Sequence, residues 1–252
     1  MKPAVAVCGL GLIGGSLALA LSRRGHHVIG VDRPGPLRRA RRARAIAGAA
    51  PLETALRRAG LIVLAAPPTA NLRLLRRIAR LGAADVTVTD VTSVKRPILA
   101  EARRLGLRGF VGGHPMAGNE GSGFAAASST LFRGRPWIVV PGPDPAALRR
   151  VLRLLRSVGA RPVALSAAEH DRVVARLSHL PQLLAWALLS SAAGDPATRR
   201  RLGIAGPGFR DMTRLARSPR RLWREILRAN RDEVEGALQD LRAALSPRRI
   251  WR

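Results

Sequence analysis

One histidine stands in a stretch that neither helix nor regular strand would choose: residues 112–123 read GGHPMAGNEGSG. Glycine is conformationally loose and proline lacks an N–H donor, so this is a loop whose backbone passes close to something. His114 is its only side chain that titrates near neutrality, which makes it a candidate general base; a turn with a surface histidine is the plain alternative. A second pattern opens the chain. In GLGLIGGS, Gly9, Gly11 and Gly14 have the spacing G-x-G-x-x-G, after a strand-like run and at the start of a helix. Such a turn brings backbone close to a pyrophosphate, and the helix N-terminus presents free N–H groups to it. Asp32 ends the next strand-like run, where a carboxylate accepts hydrogen bonds from the adenosine ribose; this favours NAD, and Arg33 beside it keeps NADP open. Leu12, Ile13, Ala66, Pro67 and Ser93 complete the expected cofactor contacts.

Two polar clusters are expected at the carboxyl ends of later strands, where open α/β sheets bind their ligands. One is the His114 loop; the other is TDVTSVK (89–95), with Ser93 and Lys95. The plain alternative for Ser93 and Lys95 is a helix start facing solvent. Stepping outward, apolar runs at 4–11, 26–32, 60–68, 85–93, 109–115 and 136–142 alternate with helical patterns, and a further helix and strand occupy 146–171. That alternation predicts parallel βαβ units. Beyond about Ser166 strand signals stop, and helices are expected over 168–193, near 196–203 and over 219–245. In the last, Leu222, Ile226, Val234, Leu238, Leu241 and Leu245 form one apolar face. Asn230 falls on that face and needs a partner. The expected architecture is α/β: a Rossmann-like doubly wound parallel sheet over 1–166, then a smaller all-helical domain over 167–252.

The chain has 252 residues and a net charge of +28, with 44 Lys and Arg against 16 Asp and Glu. The arginines are spread over most helical segments and lysine occurs only at Lys2 and Lys95, which reads as compositional drift on solvated faces. A nucleic-acid-binding surface is the rival reading of that charge. Cys8 is the single cysteine, so an internal disulfide is impossible, a cysteine-based zinc site is excluded and no metal is expected. The start of the chain lacks a signal-peptide layout and no apolar run spans a bilayer, so a cytoplasmic protein is expected.

Five segments together carry a specific resemblance: GLGLIGGS, TDVTSVK, GGHPMAGNEGSG, EHDRVVARLSHLPQLLA (169–185) and GPGFRDMTRLARSPRRLWREILRAN (206–230). In this order they resemble the prephenate/arogenate dehydrogenase family of tyrosine biosynthesis, without room for a fused mutase or ACT domain. The resemblance implies NAD-dependent oxidative decarboxylation of prephenate, arogenate or both, by a homodimer paired through its helical domain. It makes His114 the group that takes the proton of the substrate hydroxyl, with Ser93 orienting that hydroxyl and His114. It places Arg214 on a substrate carboxylate; the alternative is one more arginine in an arginine-rich chain, for which Arg210, Arg217 and Arg220 in the same segment serve as internal controls. It puts Glu120 at the active-site entrance, where a solvated loop carboxylate is the alternative. His179 and Gln182 share a helix face near the substrate side chain; many relatives have histidine where Gln182 stands, so the choice between prephenate and arogenate stays open. His170 and Asp171 are explained as a helix-start cap, and Trp223 and Asn230 as packing residues. The alternatives are a related hydroxyacid or imine dehydrogenase, and a dinucleotide-binding protein whose basic surface engages nucleic acid.

Overall fold

The computed structural model describes residues 4–82, 86–119 and 121–246. It divides into two compact units, Met1–His170 and Asp171–Arg252. Among the described residues, the first unit holds one eight-stranded sheet: β1 Ala4–Cys8, β2 Val28–Val31, β3 Gly48–Ala49, β4 Ala59–Leu64, β5 Thr87–Asp90, β6 Phe110–Pro115, β7 Pro136–Val140 and β8 Arg161–Ala164. Their order across the sheet is β3-β2-β1-β4-β5-β6-β7-β8. The central strands are apolar on both sides because helices cover both faces. In β1, Val5 and Val7 join one core cluster with Leu17, Leu21 and Val28, while Ala6 and Cys8 join the other with Ile62, Leu64 and Ile78.

The helices α1 Leu12–Ser22, α2 Pro34–Arg42, α3 Leu52–Arg58, α4 Pro68–Arg80, α5 Arg96–Arg104 and α6 Pro145–Ser157 alternate with the strands. Proline stands in the first turn of α2, α4, α5 and α6, where its missing N–H costs nothing. The arginines of α2 lie on its exposed side, and Ala40 faces the core. Between β1 and β4 the sheet order reverses direction. The carboxyl ends of β1, β2, β4, β5 and β6, all parallel, therefore gather along one edge.

Two strands depart from the expected all-parallel sheet. β7 runs antiparallel to β6, with His114 opposite Ile138, and β8 is parallel to β7. Among its described residues, the connection from β6 to β7 contains a three-residue 3₁₀ turn, Phe124–Ala126, and no crossover helix of the kind a parallel pairing needs.

The helical region comprises α7 Ala167–Val174, which contains the division between the units, then a π-helical turn Ala175–His179, α8 Leu180–Gly194, α9 Pro196–Arg200, α10 Pro207–Thr213, α11 Arg220–Ala229 and α12 Arg231–Ala244. The expected continuous helix over 219–245 is broken at Asn230, which leaves helical geometry at φ −122° and ψ 32°. Its side chain explains the break: Asn230 Nδ2 donates to Asp171 O at 2.8 Å and approaches His179 Nδ1 at 3.2 Å. A buried amide that must reach those two partners cannot also keep the helix axis straight.

Candidate active site

The glycine turn follows from close packing. Gly9 sits at φ +101°, and a Cβ there would lie 2.6 Å from the backbone of Ala65. At Gly14 a Cβ would lie 1.9 Å from Gly9 O, so the helix starts tight against the turn. Gly11, in contrast, faces open space, with nothing within 4 Å of an added Cβ. It begins α1 without a side-chain cap, and Leu12 and Ile13 form the first half-buried helical positions. Asp32 Oδ2 accepts from Leu10 N and Oδ1 from Arg33 N, each at 2.6 Å, so the carboxylate is held against the turn while the Arg33 side chain is exposed. Ala66 N donates to Asn71 Oδ1 at 3.1 Å, and Asn71 Nδ2 donates to Leu64 O at 3.2 Å. Fully buried Asn71 thus pins the Ala66–Pro67 loop, a role that its place inside an ordinary amphipathic pattern does not reveal.

These residues fit a dinucleotide. An uncapped helix start faces the open side of a glycine turn, with a carboxylate at the end of the neighbouring strand. Beneath the turn Cys8 is fully enclosed, and burial, with Asp32 nearby, pushes its thiol up to about 12. It is a packing residue rather than a nucleophile.

At the end of β5 Lys95 lies in a buried network, which rules out for it the alternative of a helix start facing solvent. Lys95 and Asp90 have no exposed surface and form an ion pair. Lys95 Nζ also donates to Thr92 Oγ1 at 2.9 Å and to Gly113 O at 2.6 Å. Asp90 accepts from Gly113 N at 2.9 Å through Oδ1, and from Thr92 N at 2.9 Å and the Thr92 hydroxyl through Oδ2. Both backbone polar groups of Gly113 are therefore clamped, immediately before His114. Burial without solvent makes each partner indispensable to the other. Ser93, in the middle of this segment, is half-buried and makes no side-chain hydrogen bond to a described residue. The structure does not join it to His114.

His114 meets His170 instead. Nδ1 of His114 lies 2.8 Å from Nε2 of His170, with the ring centroids 5.1 Å apart in an edge-on arrangement. His170 is fully buried, which corrects its reading as a simple helix-start cap; that task falls to Ser166, whose Oγ accepts from Glu169 N at 3.2 Å. Register supplies the reason. Gly113 is opposite Val139, and Val139 is opposite Ala164, so the chain leaves β8 two strands from the row beside His114. No spacing in the sequence carries that information.

Within the second unit, His179 and Gln182 are buried, but they do different things. His179 ends the π-helical turn, packs edge-on to Trp223 at 6.0 Å and meets Asn230. Gln182 Nε2 donates to Leu215 O at 2.8 Å, and Trp186 Nε1 donates to Ala216 O at 3.3 Å. Two side chains of α8 thus hold the 3₁₀ turn Arg214–Arg217. Gln182 Oε1 is buried and accepts no hydrogen bond from the described residues. Arg214 lines a cavity of about 400 Å³ with Leu189, Phe209, Thr213, Arg210 and Arg217. Arg210 and Arg217 thus line the same cavity as Arg214, and Arg220 lies 5.4 Å over the Trp186 ring. A pocket with an apolar floor and three guanidinium groups suits an organic anion. Glu120 lies outside the described residues.

Comparison with known proteins agrees with this architecture over almost the whole chain. A sequence model described as the nucleotide-binding domain of prephenate dehydrogenase matches residues 17–164, and one described as its dimerization domain matches residues 166–249. The prephenate dehydrogenase of Bacillus subtilis is 34% identical over 247 residues, covering 93% of this chain and 66% of its own length. The chain thus spans slightly under two thirds of that relative. Among solved structures, prephenate dehydrogenase from A. aeolicus in complex with hydroxyphenyl propionate and NAD+ superposes with a TM-score of 0.90 at 29% identity, covering 97% of this chain and 88% of that one. Synechocystis arogenate dehydrogenase gives 0.81 at 33% identity, covering 96% and 89%. With both family models matched in order along it, the chain belongs to the prephenate dehydrogenase family.

Proposed function

We propose that this protein catalyses the NAD-dependent oxidative decarboxylation of prephenate, arogenate or both. The observation that carries the reading is His114: a buried imidazole at the carboxyl end of β6, on the sheet edge that also holds the glycine turn, with the preceding Gly113 clamped and Nδ1 already engaged. NAD, when bound, supplies the hydride acceptor. Gly9, Gly11, Gly14, Leu12, Ile13, Asp32, Ala66 and Pro67 would hold it, and Ser93 would border it. Asp32 would accept from the ribose hydroxyls and repel a 2′-phosphate.

His114 takes the proton of the ring hydroxyl at C4 as the C4–H bond yields its hydride and a carbonyl forms. The C1–carboxylate bond then breaks, its electron pair completes the aromatic ring, and carbon dioxide leaves. His114 can return the proton to the resulting phenolate, so no net proton is consumed. Arg214 would pair with a substrate carboxylate, with Gln182 and His179 supporting the substrate side chain and Glu120 near the entrance. Hydroxyphenyl propionate, seen with NAD+ in the A. aeolicus relative, has the same phenol and carboxylate-bearing side chain that this chemistry generates.

We further infer a homodimer formed through the helical unit, in keeping with the description of the second matched domain. α8 is apolar nearly all round, yet only Gln182 and Ala185 are buried on it. An all-apolar helix in water calls for a covering surface. Among the described residues no helix is long and apolar enough to cross a membrane.

The direct test follows NADH formation with prephenate and with arogenate in parallel. His114→Asn should lower kcat by roughly 10²–10⁴-fold with little change in NAD affinity, the range for a positioned acid–base group. Turnover of neither substrate by the wild type, or full activity in the variant, would refute the reading.

A further inference from the structure

One ring nitrogen of His114 is engaged by a second imidazole, and that contact has chemical content. Nδ1 lies 2.8 Å from Nε2 of His170. At this distance a single hydrogen occupies the line between the nitrogens, so one ring donates and the other accepts. His114 can serve as a base through Nε2 only if Nε2 is bare in the resting enzyme, which puts its hydrogen on Nδ1. Nδ1–H of His114 then donates to Nε2 of His170, and a neutral His170 carries its own hydrogen on Nδ1.

His170 is well placed to enforce this choice. It has no exposed surface, so water does not compete for the bond. It sits in the first turn of α7, where His170 N donates to Ser166 O at 2.9 Å and Ser166 Oγ caps Glu169. On the other side, Asp90 and Lys95 hold both backbone polar groups of Gly113. Neither partner can drift without breaking hydrogen bonds, buried ones at Gly113 and those of the first turn of α7 at His170. A contact that served packing alone would not require two nitrogens aligned in this way.

We propose that His170 is a positioning residue that fixes His114 in the Nδ1–H tautomer, so that its Nε2 carries no hydrogen and can take the hydroxyl proton, and that it shares the charge when His114 becomes imidazolium. The proposal rests on the reading of His114 as the base. When His114 Nε2 accepts the hydroxyl proton, the pair gains one proton and one positive charge. The Nδ1–H···Nε2 bond then becomes charge-assisted and strengthens as the reaction proceeds. An interaction that strengthens toward the transition state appears in kcat rather than in substrate binding.

The test combines imidazole nitrogen NMR of the full chain with steady-state kinetics for wild type, His170→Phe and His170→Gln. Wild-type His114 should show the Nδ1–H tautomer alone. His170→Phe preserves a ring without an acceptor; it should mix the tautomers and lower kcat about 10–100-fold, with KM for both substrates changing less than about threefold. His170→Gln offers an amide oxygen to Nδ1–H and should recover most of the rate. An Nε2–H tautomer in wild-type His114 would overturn the proposal, even where His170→Phe does not fold. So would a Gln variant as slow as the Phe variant, or a Phe variant with unchanged tautomer and rate. The tautomer readout is independent of turnover, so loss of the base assignment by an active His114→Asn enzyme is distinguishable from failure of this proposal.

Discussion

Arg214 shows how far a single residue's role depends on its company. In the sequence it is one of many arginines, marked only by its place in the GFRDMTRLARSPR segment. In the structure it shares a cavity with Arg210 and Arg217, and the turn carrying it hangs from Gln182 and Trp186 on α8. Arg214→Ala should weaken productive substrate binding by about 2–5 kcal/mol, as for a lost charge partner, and mainly through KM. Arg210→Ala and Arg217→Ala should give smaller effects of the same sign, because they contribute to the same field. The neutral control is Arg231, an exposed residue whose Nε pairs with Glu235 at 2.6 Å one helical turn away. Steady-state kinetics on the four variants decides it. An Arg231→Ala enzyme impaired as much as Arg214→Ala would point to diffuse electrostatics instead of a carboxylate site.

At the scale of elements, the Asp90–Lys95 pair ties the end of β5, the start of α5 and the middle of β6 into one piece. Removing one member of a fully buried pair leaves an uncompensated charge, so Lys95→Met should destabilise the protein by about 3–5 kcal/mol. Urea unfolding measures this, and a midpoint equal to wild type would mean that the network adds nothing to stability. Asn230 acts similarly between helices. It interrupts what periodicity presents as one helix, because its amide is committed to Asp171 and His179. The apolar positions on both sides of it are legible from spacing; the break is not, since nothing local forbids asparagine within a helix.

For the whole molecule, exposed apolar side chains concentrate in the helical unit. Leu177, Ile204, Met212, Leu222 and Leu245 are exposed there, against Leu81 and Val163 in the first unit. That imbalance, with the half-exposed apolar surface of α8, predicts a dimer of the full chain in sedimentation at moderate salt. Introducing charge on that surface with Leu177→Glu and Ile204→Glu together should shift it toward monomer. A wild-type monomer across micromolar concentrations would contradict the proposed pairing. The basic residues lie mostly on exposed helix faces and some are paired, as Arg76 and Arg104 are with Glu101, whose carboxyl they hold down at about 2.

Local chemistry was enough to find the glycine turn, Asp32 and the alternation of strands and helices, because each depends on near neighbours in the chain; the stretch around His114, read as a loop, is instead strand as far as Pro115, because pairing with β7 holds it extended. The turn needs Gly9 and Gly14 for steric reasons that any fold would impose, and burial on both faces makes β1 and β4 continuously apolar. What surrounds His114 was decided elsewhere. Lys95 looks like a surface residue until β5 and β6 pair and carry it onto Gly113. His170 looks like a cap until the antiparallel β7 and the parallel β8 set the register that delivers it to Nδ1. These contacts join residues 18 and 56 positions apart. Their geometry follows from strand order and register, which are properties of the assembled sheet and of no single segment.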